Sequence, residues 1–187
     1  MFYVQKTNSE PNSGPTRLAG RKIYRGILSG AKTTVKPARV TRFESEVILD
    51  KSPEKVFDFC LSEEGFSSIM PDRITFIDSA GEERTEGAIY LFRWWLRNAI
   101  PVIWVAEISK LEPGREFSDL QLRGFFRFFE HTHTCLPHEK GTKYRDTIEF
   151  ASRFGSLIDR KVLLPQLKRT FKHRHRKMES LLTGGSS

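Results

Sequence analysis

The chain has 187 residues, a net charge of +8 and two cysteines. That length can bury a core without disulfides or a structural metal. Cys60 and Cys135 cannot build a disulfide framework, so they read as reduced thiols. No apolar run approaches the roughly 20 residues of a membrane-spanning helix, and the opening MFYVQKTNSEPNSG lacks the regions of a secretory signal.

The charge is unevenly spread. Residues 1–40 hold eight Lys or Arg against one acid, Glu10, whereas residues 41–187 hold 23 basic and 22 acidic residues. A nearly neutral body argues against sequence-specific nucleic-acid binding, while the basic segment suits an anionic membrane surface or partner. Residues 1–39 show no sustained period and read as a flexible extension. The expected compartment is the cytoplasm. An organelle is the alternative, because a basic, acid-poor segment also fits a transit peptide.

The fold is expected over residues 40–182, with 183–187 a flexible tail. Val40–Leu49 alternates as a strand. Ser52 and Pro53 mark a helix start, with Val56, Phe57 and Cys60 on one face, and a second short helix is expected over Glu63–Ile69. Strands follow at Ile74–Ser79, Ala88–Leu96, Val102–Leu111, Glu116–Leu122, Phe126–Leu136 and Thr142–Ala151, separated by Gly, Pro and Asn turns. A long helix, Gly155–Leu182, ends the chain. Its stripe runs through Leu157, Leu164, Leu167, Phe171, Met178 and Leu182, and Pro165 is expected to kink or divide it. The class is α+β: a curved antiparallel sheet of about seven strands around one long helix.

Candidate chemistry gathers in the last hairpin. His131, His133 and Cys135 share one strand face, a pattern that suits Zn²⁺. Alternate residues on a strand stand about 7 Å apart, however, too far for easy shared coordination. The expectation is therefore no metal and no cofactor. Pairing Leu136 with Thr142 sets Thr134 opposite Tyr144, Thr132 opposite Asp146 and Phe128 opposite Phe150. That more apolar face, which also carries Phe126, Glu130 and Ile148, is assigned to the interior. Arg127, Phe129, His131, His133, Lys143, Arg145 and Glu149 are assigned to solvent, and a one-residue slip would invert the assignment. Asp146 and Glu130 then need partners, and Arg174 or His175 on the terminal helix can supply them. Such a pair reads first as a structural ion pair and second as an acid–base couple. Trp94 and Trp104 read as core or pocket wall.

The string FxDxQLRGxFxxxxHTHTxxxxxxGTxxxDxIxF spans Phe117 to Phe150, and the pattern continues through Pro165, Gln166, Leu167, Phe171, Arg174, His175 and Arg176. It resembles the SRPBCC, or START-like, superfamily, particularly its polyketide cyclase/dehydrase-like members. The chain departs from that pattern at Phe125, where relatives carry Pro, and at Phe129, where they carry Trp. The resemblance implies a helix-grip fold and an internal cavity for a hydrophobic or amphipathic small molecule, such as a lipid, isoprenoid or polyketide. The expected ligand-binding residues are Trp94, Trp104, Phe128, Glu130, Thr132, Asp146, Phe150, Phe171, Arg174 and His175. A non-enzymatic binding protein is the first expectation. A cyclase or dehydratase using Glu130, Asp146 or His175 is the second, and a membrane- or protein-docking module the third.

Overall fold

A computed structural model of the chain describes residues 35–78 and 85–183. The elements run β1 (Thr41–Leu49), α1 (Pro53–Leu61), α2 (Glu63–Ile69), β2 (Ile74–Asp78), β3 (Ile89–Leu96), β4 (Ile100–Glu112), β5 (Glu116–Arg123), β6 (Phe128–His138) and β7 (Gly141–Ala151). A short α3 (Ser156–Ile158), a π-helical turn (Asp159–Leu163) and α4 (Leu164–Thr183) complete the chain. The seven strands form one antiparallel sheet in the order β1-β7-β6-β5-β4-β3-β2. Every hairpin neighbour is adjacent in the sheet, and only β1 reaches its partner β7 over a long connection. This is the helix-grip architecture. The expectation that residues 1–34 and 184–187 are flexible lies outside the described residues.

The core forms two clusters. Leu49, Val56, Phe57, Cys60, Phe117, Tyr144 and Met178 belong to one; Phe43, Trp104, Phe126, Phe129, Ile148, Phe150 and Phe171 belong to the other. α4 joins both, through Phe171 and Met178, because those positions lie two turns apart on one helical stripe. Leu157, placed on the same stripe by sequence spacing, is instead 64% exposed. The π-turn explains the difference, since its extra residue advances the helical phase by roughly 100°. Pro165 is the second residue after it. Proline offers no N–H and crowds the preceding carbonyl, and the chain accommodates this by widening the turn rather than breaking the helix.

The β6–β7 register differs from the sequence expectation by one residue. Leu136 pairs with Lys143, His133 with Asp146 and Phe129 with Phe150. The strands close on a two-residue turn, Glu139-Lys140, and not on the five-residue loop that Pro137 suggested. Pro137 is tolerated within β6 for a physical reason. The Cys135 N–H donates to Arg115 O at 2.7 Å, so two residues on Pro137 faces the same side, where β5 has ended. No ladder bond is lost there.

Gly141 fixes this turn. Its φ is +114°, and a Cβ would lie 2.4 Å from Leu49 O and 2.9 Å from Lys51 N. Both obstacles are backbone atoms, so neither swings aside. Gly141→Ala is expected to cost more than about 1 kcal/mol in a urea-unfolding titration. An unchanged midpoint would show that the turn is not locked as described.

Candidate functional site

The slip reverses the face of β6 while β7 keeps its expected one. Phe129, His131 and His133 therefore point inward with Tyr144, Asp146, Ile148 and Phe150. Phe128, Glu130 and Thr132 point outward, which corrects their assignment to the interior. Thr132 Oγ1 meets Ser118 Oγ at 2.8 Å, Glu130 lies 4.0 Å from Lys36 Nζ, and Lys36 also covers the Phe128 ring. These contacts belong to the outer surface of the sheet.

Asp146 is fully buried and organises the inner face. Its Oδ1 accepts from His131 Nε2 at 2.6 Å and from Tyr144 O–H at 2.7 Å, and its Oδ2 accepts from His175 Nε2 at 2.6 Å. One carboxylate thus ties β6, β7 and α4 together. Burial penalises this charge, but the His131 and His175 donors, with Arg174 assisting, outweigh that cost and hold the Asp146 carboxyl well below the usual carboxylate range. Burial and the Asp146 charge push the Tyr144 hydroxyl well above its ordinary value, so it stays protonated. Tyr144 O in turn contacts His133 Nδ1 at 2.6 Å, and Ser45 Oγ contacts His175 Nδ1 at 3.3 Å.

Asp119 enters from β5, directly opposite His131 in the β5–β6 ladder. Its Oδ2 lies 3.2 Å from His133 Nε2 and 3.5 Å from His131 Nδ1. The His131 and His133 rings stand 3.8 Å apart, and Phe117 stacks on His133 at 4.0 Å. The ligand-type atoms of Asp119, His131 and His133 all lie within 4.8 Å of one another. The spacing argument against shared coordination fails here. Strand rise limits the Cα positions, but it does not bound the side-chain tips, which converge.

A cavity of about 120 Å³ opens on this cluster, walled by α1, α2, the inner face of the sheet and α4. Its lining is chiefly Phe66, Phe76, Phe92, Trp94, Trp104 and Phe129, with Asp119, His131, His133 and Arg174 among the polar groups. Arg174 is 4% exposed, its guanidinium lies over the Phe171 ring at 4.7 Å, and its Nε has no hydrogen-bond partner among the described residues.

Of the ten residues expected at the site, Trp94, Trp104, Phe171 and Arg174 line the cavity. Asp146, His175 and Phe150 are buried outside its lining, and Phe128, Glu130 and Thr132 lie on the other face. Phe129, His131 and His133 had been assigned to solvent, Tyr144 to the inner face without a site role, and Asp119 had been given no role. The available signal was the β5–β6 hairpin itself, which pairs Asp119 with His131 whatever register β7 takes. Gln121 serves that hairpin: its Nε2 donates to Phe126 O at 2.8 Å, bracing the Gly124 loop from inside.

His133 makes the network sensitive to pH. Burial, then the adjacent His131 imidazole, hold His133 down at about 4, against 6.5 in an open chain. Between those values the unfolded state binds the additional proton, so stability falls as pH drops from 6.5 towards 4. The depressed Asp119 and Asp146 carboxyls act lower, their contribution being lost only below the usual carboxylate range. With chelator present, urea-unfolding free energies should decline between pH 7 and pH 5 by up to about 1.4 kcal/mol per unit. The His133→Gln variant should flatten that slope. A flat wild-type profile would contradict the buried, neutral His133.

Truncating the centre of the network has a larger expected effect. Asp146→Ala strands three donors around a void and should cost on the order of 3–5 kcal/mol in the same assay. A loss below 1 kcal/mol, again on the order of what an exposed pair contributes, would show that the carboxylate does not organise the face.

Solved structures share this architecture. The Zhui aromatase/cyclase from Streptomyces sp. R1128 superposes with a TM-score of 0.61 at 12% identity, over 78% of this chain and 94% of its own. Ara h 8.0201 gives 0.61 at 13% identity, over 79% and 100%. A protein from Thermus thermophilus gives 0.59 at 20% identity, over 80% and 100%. No protein-family model and no curated protein matches the sequence. No helix among the described residues is long and apolar enough to cross a membrane. At these identities the likeness establishes the fold alone: the chain has the helix-grip fold found in those proteins.

Proposed function

We propose that the domain binds a small amphipathic molecule, with an apolar, ring-sized body in the cavity and an anionic oxygen group on Arg174. The observation that carries this reading is the guanidinium itself. A buried cation is costly unless it is paired and hydrogen-bonded, yet Arg174 Nε has no partner among the described residues while its group faces an apolar cavity. A carboxylate-bearing ligand in the cavity would pair the guanidinium charge. The volume of about 120 Å³ approaches the ~150 Å³ of an engineered cavity that binds benzene, so one ring fits and a longer ligand would extend to the mouth. Because this space is not filled by side chains, a pure docking module is the weaker explanation.

An acid–base enzyme is the second reading, and one arrangement favours it. His131 faces the cavity while Asp146 holds its other nitrogen, as a general base is held in a working site. The printed name of one structural neighbour, an aromatase/cyclase, is compatible with that chemistry in this fold.

Trp94 and Trp104 in the cavity wall allow a direct test by intrinsic fluorescence. Titration with benzoate should quench saturably, and Arg174→Met should weaken that binding by about tenfold or more, the equivalent of a lost charge-assisted bond. The neutral phenol should bind both forms alike. Equal loss of both probes, or equal retention, would refute an anion-selecting Arg174. Should a substrate emerge, His131→Gln separates the two readings: a carrier loses affinity at most, whereas an enzyme keeps binding and loses turnover.

A further inference from the structure

The hydrogen-bonding roles around Asp146 leave too few protons for the site to close on its own. An ionised carboxylate only accepts. Asp146 therefore takes the Nε2–H of His131, the Nε2–H of His175 and the O–H of Tyr144. Having donated its only hydrogen, Tyr144 O accepts the Nδ1–H of His133. Neutral imidazole has one N–H, so both histidines have spent theirs. What remains is a bare Nδ1 on His131 and a bare Nε2 on His133, both turned towards Asp119 Oδ2 at 3.5 and 3.2 Å.

Three lone-pair atoms thus meet at the cavity wall with no hydrogen between them. One added proton, on either ring or on Asp119, closes only one of the two oxygen–nitrogen contacts and leaves the other lone pair facing oxygen. Protonating both rings would place two imidazolium ions with centroids 3.8 Å apart in a buried site, which like-charge repulsion opposes. Exchanging the His133 tautomer only moves the conflict, because Tyr144 would then have to donate to His133 and leave its oxygen against Asp146. A single multivalent cation resolves all three contacts at once.

We propose that Asp119, His131 Nδ1 and His133 Nε2 bind one divalent first-row transition-metal ion, with its remaining coordination positions open to the cavity. The two oxygen–nitrogen separations suit a shared ion. Ligands about 2.1 Å from a metal lie roughly 3.0 Å apart at octahedral edges and 3.4 Å apart at tetrahedral ones, and the two oxygen–nitrogen separations here are 3.2 and 3.5 Å. Two imidazoles with one carboxylate is a donor set for Zn²⁺, Co²⁺ or Fe²⁺. The supporting contacts also match, since metal-bound histidines usually donate their other N–H to a carboxylate or comparable acceptor. His131 does so to Asp146 and His133 to Tyr144.

Charge balance points the same way. Asp119, Asp146 and Arg174 sum to one negative charge, so a divalent ion leaves one positive charge for an anionic ligand or hydroxide to neutralise. The site shares its cavity with the proposed ligand, but it does not rest on that reading, because metal uptake is measured with no ligand present.

The test is a Co²⁺ titration of the untagged, chelator-stripped protein, followed by visible absorption. One equivalent should bind and develop d–d bands, and X-ray absorption of that complex should show imidazole scattering. Asp119→Asn, nearly the same size and 22% exposed as aspartate, should weaken binding by about 100-fold or more, and His131→Gln and His133→Gln should do likewise. Asp146→Asn, which touches no metal, should weaken it by about 10–100-fold. His138→Gln, at the C-terminal end of β6, should leave it unchanged. The X-ray absorption reading needs no variant, so it stands even if a substitution prevents folding. Absence of stoichiometric uptake, uptake indifferent to Asp119→Asn, or a complex without imidazole scattering would each overturn the proposal.

Discussion

A single fully buried carboxylate sets the terms for the inner face of this protein. Asp146 cannot be ionised in an apolar interior without donors, and the fold delivers three of them from two strands and the terminal helix. That requirement is geometric as well as energetic. Each donor has to present a particular nitrogen or oxygen, so Asp146 fixes which way the His131 and His175 rings are turned and, through Tyr144, which way His133 is turned. The helix is joined to the sheet by apolar packing at Phe171 and Met178. Its rotation about its own axis is set by His175.

The polar cluster is useful because of its surroundings. Aromatic rings from β2, β3, β4 and α2 line most of the cavity, and beside such low-dielectric walls each charge acts more strongly than at the surface. The Arg174 guanidinium lies over the Phe66 and Phe171 rings, which interact with it through their faces. They do not replace a hydrogen-bond acceptor. A group held this way is more available to an incoming molecule than one committed to an ion pair, as Lys110 is with Glu116 on the outer surface. Cys60 and Cys135 are buried beside this region, and burial pushes Cys135 up to about 12, so at neutral pH these thiols are packing atoms.

Most of the architecture was legible in the sequence because it depends on pattern. Strand alternation, turn residues and the apolar stripe of the last helix each reflect a periodicity that burial enforces. What the pattern does not contain is phase. Leu157 was misplaced because a π-turn changes the helical phase without any change in composition. The inner residues of β6 were misplaced because Pro137, a strong turn signal, occupies a strand position whose missing N–H would have faced open space. Asp146 was recognised as a buried carboxylate in need of a cationic or hydrogen-bonding partner, and His175 as one source of it. His131 and Asp119 were not, since their roles appear only when β5, β6 and β7 are laid side by side in register.

The Glu139-Lys140 turn therefore works as a parity lock for everything on the wall beneath it. Adding or removing one residue there would leave every site residue in the chain, and would preserve the alternation of both strands. Yet it would put the two strands out of phase, so that His131 and His133 no longer shared a face with Asp146. Length changes of two are a different matter, because they keep odd with odd and even with even. Among descendants of this fold, the hairpin should thus drift in even steps wherever the histidine pair is retained. A single-residue step would mark the point at which one lineage gave up this inner wall for another.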